Sequence, residues 1–151
     1  MHAHRLNPHE ATPEANAALR NVEAYLNRSA LGEHLIELVK MRTSQINGCA
    51  YCFDMHSKAL RRMDETEQRI YLLNAWRESP LYTPRERAAL AWTEGLTLIA
   101  ETQAPDAVYD KVRQHFEGKV QADLTTVIGM INLWDRLAIS LRCEHPTDAE
   151  A

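Results

Sequence analysis

The spacing of its apolar residues is the feature that most constrains how this chain can fold. From Leu19 to Leu141 these residues mostly recur three or four positions apart, rather than at every second position. That spacing puts them on one face of an α-helix, whereas a half-buried strand would alternate apolar and polar side chains. Only 5 glycines and 6 prolines are present, so few breaks interrupt the helices. The sequence therefore predicts an all-α fold, a bundle of six to seven helices.

Length and composition predict a single globular domain. A chain of 151 residues can bury a core without disulfide bonds. We expect this domain to cover residues 1–151, with loosely held tails at 1–11 and 144–151. The hydrophobic content of 45% and the net charge of -4 are typical of a soluble protein, and no basic field is present to attract nucleic acid or anionic lipid.

The expected compartment follows from two further observations. The residues from Met1 to Arg5 lack the apolar run of a secretory signal, and no stretch of about eighteen uncharged residues could span a membrane. We therefore expect a cytoplasmic protein without membrane contacts. In a reducing compartment a close cysteine pair is more often catalytic or metal-binding than structural.

Capping signals predict where the first helices begin and end. Thr12-Pro13 can start one helix, and a second runs from about Leu31 to Gln45 and stops near Asn47-Gly48. A third begins close to Cys49 and continues to Met63. The second helix is apolar around most of its circumference, so we expect it to help form an oligomer.

Four capping signals organise the rest of the chain. Asp64 with Glu67 resembles a capping box for a helix that continues through Trp76. Thr83 to Glu86 is a stronger start, with proline at the first helical position. Pro105 opens a shorter helix, and Asp123 is expected to cap the last one, which includes the β-branched segment 125–128.

Cys49 and Cys52 form the motif that carries chemistry. On a helical wheel they share one face of the third helix with His56. Residues three apart in a helix have Cα atoms roughly 5 Å apart, within the span of a disulfide. The free N–H groups at a helix start also favour a thiolate. The pair is therefore predicted to cycle between dithiol and disulfide.

Glu37 is the expected partner of His56. Because the turn at Asn47-Gly48 folds the second helix against the third, Glu37 comes level with Ser57 and within reach of His56. A thiolate would attack an oxidised oxygen or sulfur, the second thiol would form a disulfide, and the Glu37/His56 pair would carry protons.

Three alternatives remain open from the residues alone. The protein could be a general disulfide oxidoreductase, a non-enzymatic redox sensor, or a zinc-binding module that uses Cys49, Cys52 and His56, although a fourth zinc ligand is hard to find. No cofactor or bound metal is expected, and haem attachment is excluded because Phe53 follows Cys52. Cys143 has no motif around it and is interpreted as a bystander thiol.

The motif resembles a known family. The chain resembles the alkylhydroperoxidase AhpD-like branch of the carboxymuconolactone decarboxylase family in two segments. The first is Glu37, eleven intervening residues and then Cys49-Ala50-Tyr51-Cys52-Phe53-Asp54-Met55-His56, and the second is Thr83-Pro84-Arg85-Glu86-Arg87-Ala88-Ala89-Leu90. The resemblance covers roughly residues 31–98. Some peroxidase members carry His where this chain has Tyr51, so one proton-handling group is absent.

The resemblance implies an AhpD-like fold, a trimer or hexamer, and reduction of hydroperoxides. Cys52 would become the sulfenic acid, Cys49 would donate a proton and close the disulfide, and Glu37 with His56 would form a proton relay. A thiol or a dihydrolipoyl group on a partner protein would be the reductant. Decarboxylase members lack the cysteine pair, so decarboxylation is not implied.

Overall fold

The computed structural model describes residues 3–148, and this part of the chain contains helices and no strand. Its α-helices are, in chain order, α1 Pro8–Ala11, α2 Pro13–Asn27, α3 Glu33–Asn47, α4 Ala50–Arg62, α5 Glu67–Tyr71, α6 Pro84–Thr97, α7 Ile99–Thr102, α8 Asp106–Val112 and α9 Lys119–Leu141. Because α1 and α7 are single turns, seven longer helices form the bundle, and the predicted all-α fold is confirmed.

The turn between α3 and α4 sets the position of the cysteine motif. Gly48 ends α3 with a φ of 72°, a left-handed conformation that glycine adopts without a steric penalty. Its N–H closes the last turn by bonding to the Ser44 carbonyl. Cys49 is then the N-cap of α4. The predicted stop at Asn47-Gly48 and start near Cys49 are both confirmed.

The helix predicted to begin with Asp64 is organised differently. The N-cap of α5 is Thr66, whose hydroxyl accepts from the Arg69 N–H at 3.2 Å. Asp64 instead has a φ of 61°, so it lies in the preceding turn and lacks the extended backbone of a cap. The Asp64/Glu67 capping box was therefore wrong, and α5 ends at Tyr71 before a 3-10 turn at Leu73–Ala75.

The predicted capping box of α6 is confirmed, whereas the predicted start of α9 is wrong. Thr83 and Glu86 cap each other's backbone N–H groups at the start of α6. In contrast, α9 begins at Lys119, a full turn before Asp123. The Asp123 carboxylate is buried within the helix and accepts from the Tyr25 hydroxyl and from Lys119, both at 2.7 Å. The Asp123 side chain, which was expected to cap α9, therefore bonds to Tyr25 of α2 instead.

The central element of the bundle is α9, which packs against α2, α3, α4 and α6. The helix is 23 residues long and contains an 18-residue window with a mean hydropathy of 1.2, which would suffice for a membrane span by length and composition. Inside the protein, 44% of that window is buried. The contacts with four other helices are those of a core helix.

The apolar side chains of α3 are buried within a single chain. Leu35, Ile36, Leu38, Val39 and Met41 are at most 4% exposed. The argument that α3 would need a second copy to cover it was therefore wrong, because α4, α6 and α9 already cover this helix. The oligomer itself stays a prediction.

Candidate active site

The two thiols meet at the first turn of α4. The Cys49 sulfur, as N-cap, accepts a hydrogen bond from the Cys52 backbone N–H at 3.3 Å. Both cysteines are free thiols and both are only 2% exposed. Their sulfurs lie within 4.8 Å of each other, so side-chain movement alone can bring them toward bonding distance.

The two thiols differ in acidity because each lies beside the other. The Cys52 thiol donates to Cys49 and, together with the Cys52 backbone N–H, lowers the pKa of Cys49 although burial opposes this. The neighbouring Cys49 and then burial raise the pKa of Cys52. The Cys52 thiol and the start of α4 therefore favour the thiolate form of Cys49 over that of Cys52.

The predicted contact between Glu37 and His56 is confirmed. Oε2 of Glu37 and Nδ1 of His56 are 2.6 Å apart, with side chains 13% and 7% exposed. Burial acts to raise the pKa of Glu37, but the His56 hydrogen bond and the charges of His56, Lys40 and Arg62 together lower it. An ionised carboxylate can only accept, so Nδ1 of His56 carries the proton.

The other ring nitrogen of His56 is available for chemistry. Nε2 is buried and has no hydrogen-bond partner within the part of the chain that the structure describes. Buried polar atoms in native structures normally have a hydrogen-bond partner, so Nε2 is free to bond to a molecule in the cavity. Because Glu37 fixes the ring through Nδ1, Nε2 is the atom that can exchange a proton with a bound molecule.

A cavity of about 720 Å³ opens beside the thiols. Cys52, His56 and Glu37 line it, whereas Cys49 does not. Much of its remaining wall is apolar, formed by Tyr51, Met55, Ile131, Trp134, Leu137 and Ala138. The cavity therefore brings a molecule to one sulfur of the pair and to the imidazole.

Sequence reasoning missed the parts of the cavity that lie far from the motif. Glu23 of α2 accepts from Lys40 at 2.5 Å and from the Trp134 indole at 2.9 Å, so this polar group lies beside the apolar wall. The segment predicted as an N-terminal tail also takes part. The Arg5 backbone N–H donates to the Leu141 carbonyl at 3.1 Å, and His4 and His9 line the cavity.

Cys143, interpreted from sequence as a bystander, also lines this cavity and packs against the cluster that contains Cys49 and Cys52. Burial, and then the negative charge of Cys49, raise the pKa of Cys143. A thiol with a raised pKa is a poor nucleophile at neutral pH.

The most important residue that the sequence analysis missed is Asp135. It is 0% exposed, and one of its carboxylate oxygens lies within 4.8 Å of both cysteine sulfurs. A signal was present, since Asp135 falls on the apolar stripe of α9, four residues after Ile131. Two thiols and a carboxylate are donors that zinc accepts, but His56, the third ligand of the zinc alternative, lies outside this group and is bonded to Glu37.

Comparison with known proteins identifies the family. The sequence model of the carboxymuconolactone decarboxylase family matches residues 10–95, more than half of the chain. The chain belongs to this family. Its relatives within the family include YdfG of Bacillus subtilis (strain 168), an uncharacterized protein that is 42% identical over 91% of this chain and 93% of YdfG. YnjA of Escherichia coli (strain K12), also uncharacterized, is 30% identical over 70% of this chain and 58% of YnjA.

Solved structures place this carboxymuconolactone decarboxylase family member in the AhpD-like branch. A protein of unknown function from Agrobacterium tumefaciens, named as a candidate antioxidant defence protein AhpD, has a TM-score of 0.93 and 44% identity over 97% of this chain and all of its own. An uncharacterized peroxidase-related protein from Silicibacter sp. TM1040 has a TM-score of 0.78 and 25% identity over 91% of this chain and 73% of its own. The debrominase Bmp8, at 16% identity and a TM-score of 0.77, shares only the fold, so the fold alone does not select a reaction.

Proposed function

We propose that this protein is a thiol-dependent peroxidase that reduces an organic hydroperoxide with electrons from Cys49 and Cys52. The observation that carries the proposal is the partly apolar cavity of about 720 Å³ that Cys52 and His56 both line. It offers an organic hydroperoxide an apolar surface, a sulfur and a proton donor at one place. The AhpD-like membership of the chain supports the same reaction class.

In the first step, Cys52 attacks the terminal peroxide oxygen. Its proton moves to the Cys49 sulfur, which already accepts a hydrogen bond from it. A sulfur–oxygen bond then forms at Cys52 while the oxygen–oxygen bond breaks. The leaving alkoxide takes a proton from Nε2 of a protonated His56, which Glu37 stabilises through Nδ1. The products are an alcohol and a sulfenic acid at Cys52.

In the second step, Cys49 attacks the sulfenic sulfur. A sulfur–sulfur bond forms, the sulfur–oxygen bond breaks, and water leaves. A dithiol reductant, such as a dihydrolipoyl group on a partner protein, then returns two electrons to the pair and is itself oxidised to a disulfide. The cycle suits a reducing compartment such as the cytoplasm, where the thiols stay reduced between turnovers.

The proposal is tested by mixing the reduced protein with cumene hydroperoxide. We expect the Cys49–Cys52 disulfide, followed by intact and peptide mass, to form with one equivalent of cumyl alcohol and much faster than free cysteine reacts. If glutathione disulfide oxidises the pair quickly and cumene hydroperoxide does not, the protein is a disulfide oxidoreductase instead. If the purified protein holds one zinc per chain that protects both thiols from alkylation, it is a zinc-binding module.

Two single substitutions test the order of attack. Cys52→Ser removes the thiol that lines the cavity, so peroxide should leave the remaining Cys49 unmodified. Cys49→Ser keeps that thiol but removes its partner, so a sulfenic acid should persist at Cys52 and be trapped by dimedone. Equal trapping in the two variants would contradict the assignment.

A further inference from the structure

The setting of Asp135 differs from that of an ordinary structural carboxylate. Apart from the two thiols, its hydrogen-bond partners in the described part of the chain are both neutral. The Ser44 hydroxyl donates to Oδ1 at 2.9 Å, and the Asn47 amide donates to Oδ2 at 2.8 Å. A fully buried acidic group without a cationic partner is costly to keep in a protein interior.

The position of this carboxylate is held from two sides. Ser44 and Asn47 lie in the last turn of α3, immediately before the cysteine turn, and Asn47 also donates to Asn132 on α9 at 3.0 Å. The carboxylate therefore moves little relative to the two sulfurs. An oxygen that accepts one hydrogen bond keeps a second lone pair, so Asp135 can also accept a thiol proton.

We propose that Asp135 is the proton acceptor for Cys49 when the Cys49–Cys52 disulfide closes, and the proton donor to Cys49 when the disulfide is reduced. The proposal rests on the dithiol chemistry proposed above but not on the identity of the oxidant. His56 and Asp135 then transfer different protons. His56 supplies the proton on the cavity side of Cys52, and Asp135 takes the proton on the buried side of the pair.

Closure of the disulfide moves one proton from Cys49 to Asp135. After the peroxide reaction, Cys49 holds the proton that it took from Cys52. Asp135 removes this proton, the Cys49 sulfur bonds to the Cys52 sulfur, and the sulfenic oxygen leaves as hydroxide, which takes a proton from the buffer acid and becomes water. On reduction, a thiolate of the external dithiol breaks the disulfide, and Cys49 recovers its proton from Asp135. In agreement with this contact, Asp135 acts to raise the pKa of both thiols.

The test uses methyl methanethiosulfonate, a small reagent that transfers its CH₃S group to a thiol and releases methanesulfinate. In the chain with Cys143→Ser, the reagent first modifies Cys52, the cysteine that lines the cavity, and peptide mass verifies the position. Cys49 then closes the disulfide and releases methanethiol. Intact mass follows both steps, and no peroxide is needed. A failure of the peroxidase proposal therefore leaves this measurement valid, and only the closure step reports on Asp135.

We expect Asp135→Asn to slow disulfide closure about 10²-fold, the usual loss when general base catalysis is removed. The first step should not slow, because loss of the carboxylate makes the thiols more acidic. The matched control is Ser44→Ala, which removes a hydrogen bond to Asp135 but keeps the carboxylate. It should slow closure by less than about tenfold.

Several results would overturn the proposal. The closure rate could be unchanged in Asp135→Asn, or Asp135→Asn could slow both steps equally. Ser44→Ala could slow closure as much as Asp135→Asn does. The wild-type protein could also bind one zinc ion per chain that Asp135→Asn does not bind. If circular dichroism shows that Asp135→Asn is unfolded, a second measurement replaces it. The rate of disulfide closure in the Cys143→Ser protein is then measured at increasing concentrations of imidazole. An internal acceptor predicts a constant rate, and a rate that rises with imidazole would show that an external base takes the proton.

Discussion

Glu37 and His56 join α3 to α4 through a 2.6 Å hydrogen bond between residues that are 19 positions apart. The bond engages Nδ1 and leaves Nε2 buried without a partner in the described chain. A carboxylate on one ring nitrogen stabilises a proton on the imidazole and sets the direction in which the other nitrogen points. The pair therefore holds Nε2 at a fixed position beside the cavity.

Removal of the Glu37 charge should slow the reaction with peroxide. We expect Glu37→Gln to lower the rate of disulfide formation with cumene hydroperoxide about 10²-fold, because His56 loses the carboxylate that stabilises its protonated form. The matched control is Glu33→Gln, an exposed position at the start of the same helix. It should change the rate by less than about twofold, and a similar small change in Glu37→Gln would remove the proton relay.

The same carboxylate predicts the pH dependence of this step. The pKa of Glu37 is lowered from its ordinary value of 4.5, so the residue stays ionised above that pH in both the folded and the unfolded protein. The difference in rate between wild type and Glu37→Gln should persist as the pH falls from neutral to 4.5 and decrease only below that value. Stopped-flow measurements over this range would check the expectation.

Cys143 should respond to the charge of Cys49. Because burial and then that charge raise the pKa of Cys143, we expect slow alkylation by iodoacetamide at neutral pH. Cys49→Ser should accelerate alkylation of Cys143 a few-fold, and so should formation of the Cys49–Cys52 disulfide, since each removes the negative charge. Peptide mass spectrometry measures both. An unchanged alkylation rate in both cases would show that the charge of Cys49 does not affect Cys143.

Glu94 should stabilise the fold in a pH-dependent way. It accepts from the Trp76 indole at 2.8 Å, from Arg77 at 2.7 Å and from Arg42 at 2.8 Å. We expect Glu94→Gln to lower the free energy of unfolding at pH 7 by about 2 kcal/mol, the range for hydrogen bonds to charged groups. Glu78→Gln, an exposed position nearby, is the control and should have little effect.

The sign of this pH dependence follows from the pKa of Glu94. Burial acts to raise it, but the hydrogen bonds from Trp76, Arg77 and Arg42 lower it below 4.5. The contribution is therefore complete above 4.5 and is lost as the pH falls through the folded-state pKa. Urea unfolding should show a constant difference between wild type and Glu94→Gln from neutral pH to about 5, and a shrinking one at lower pH. A difference that grows on acidification would contradict this.

An oligomer is still expected, on different grounds from those that the sequence offered. Several large apolar side chains are exposed on one chain, including Tyr71 at 70%, Ile99 at 52%, Ile139 at 47% and Met55 at 45%. Exposed apolar surface favours association. Sedimentation at micromolar concentration should give a trimer or hexamer of the 17.3 kDa chain, and a species of 17.3 kDa alone would contradict the prediction.

Local chemistry explains which predictions succeeded. The stop of α3 at Gly48, the start of α4 at Cys49 and the capping box of α6 all depend on residues within a few positions of one another. The predictions for Asp64 and Asp123 were wrong although aspartate is a common N-cap residue. Thr66 caps α5 in place of Asp64, and the Asp123 side chain bonds to Tyr25 instead of capping α9. The neighbour that decides each case is not evident from the capping pattern.

The sequence by itself determined the all-α fold, the cysteine turn and the pairing of Glu37 with His56, because helical periodicity and one short turn fix the relative positions of α3 and α4. Only the tertiary structure brought Asp135 against the thiols and showed which of them faces the cavity. Asp135 lies on α9, far along the chain, and its distance from Cys49 depends on how α9 crosses α3 and α4. That crossing results from the packing of the whole core, which local periodicity does not specify.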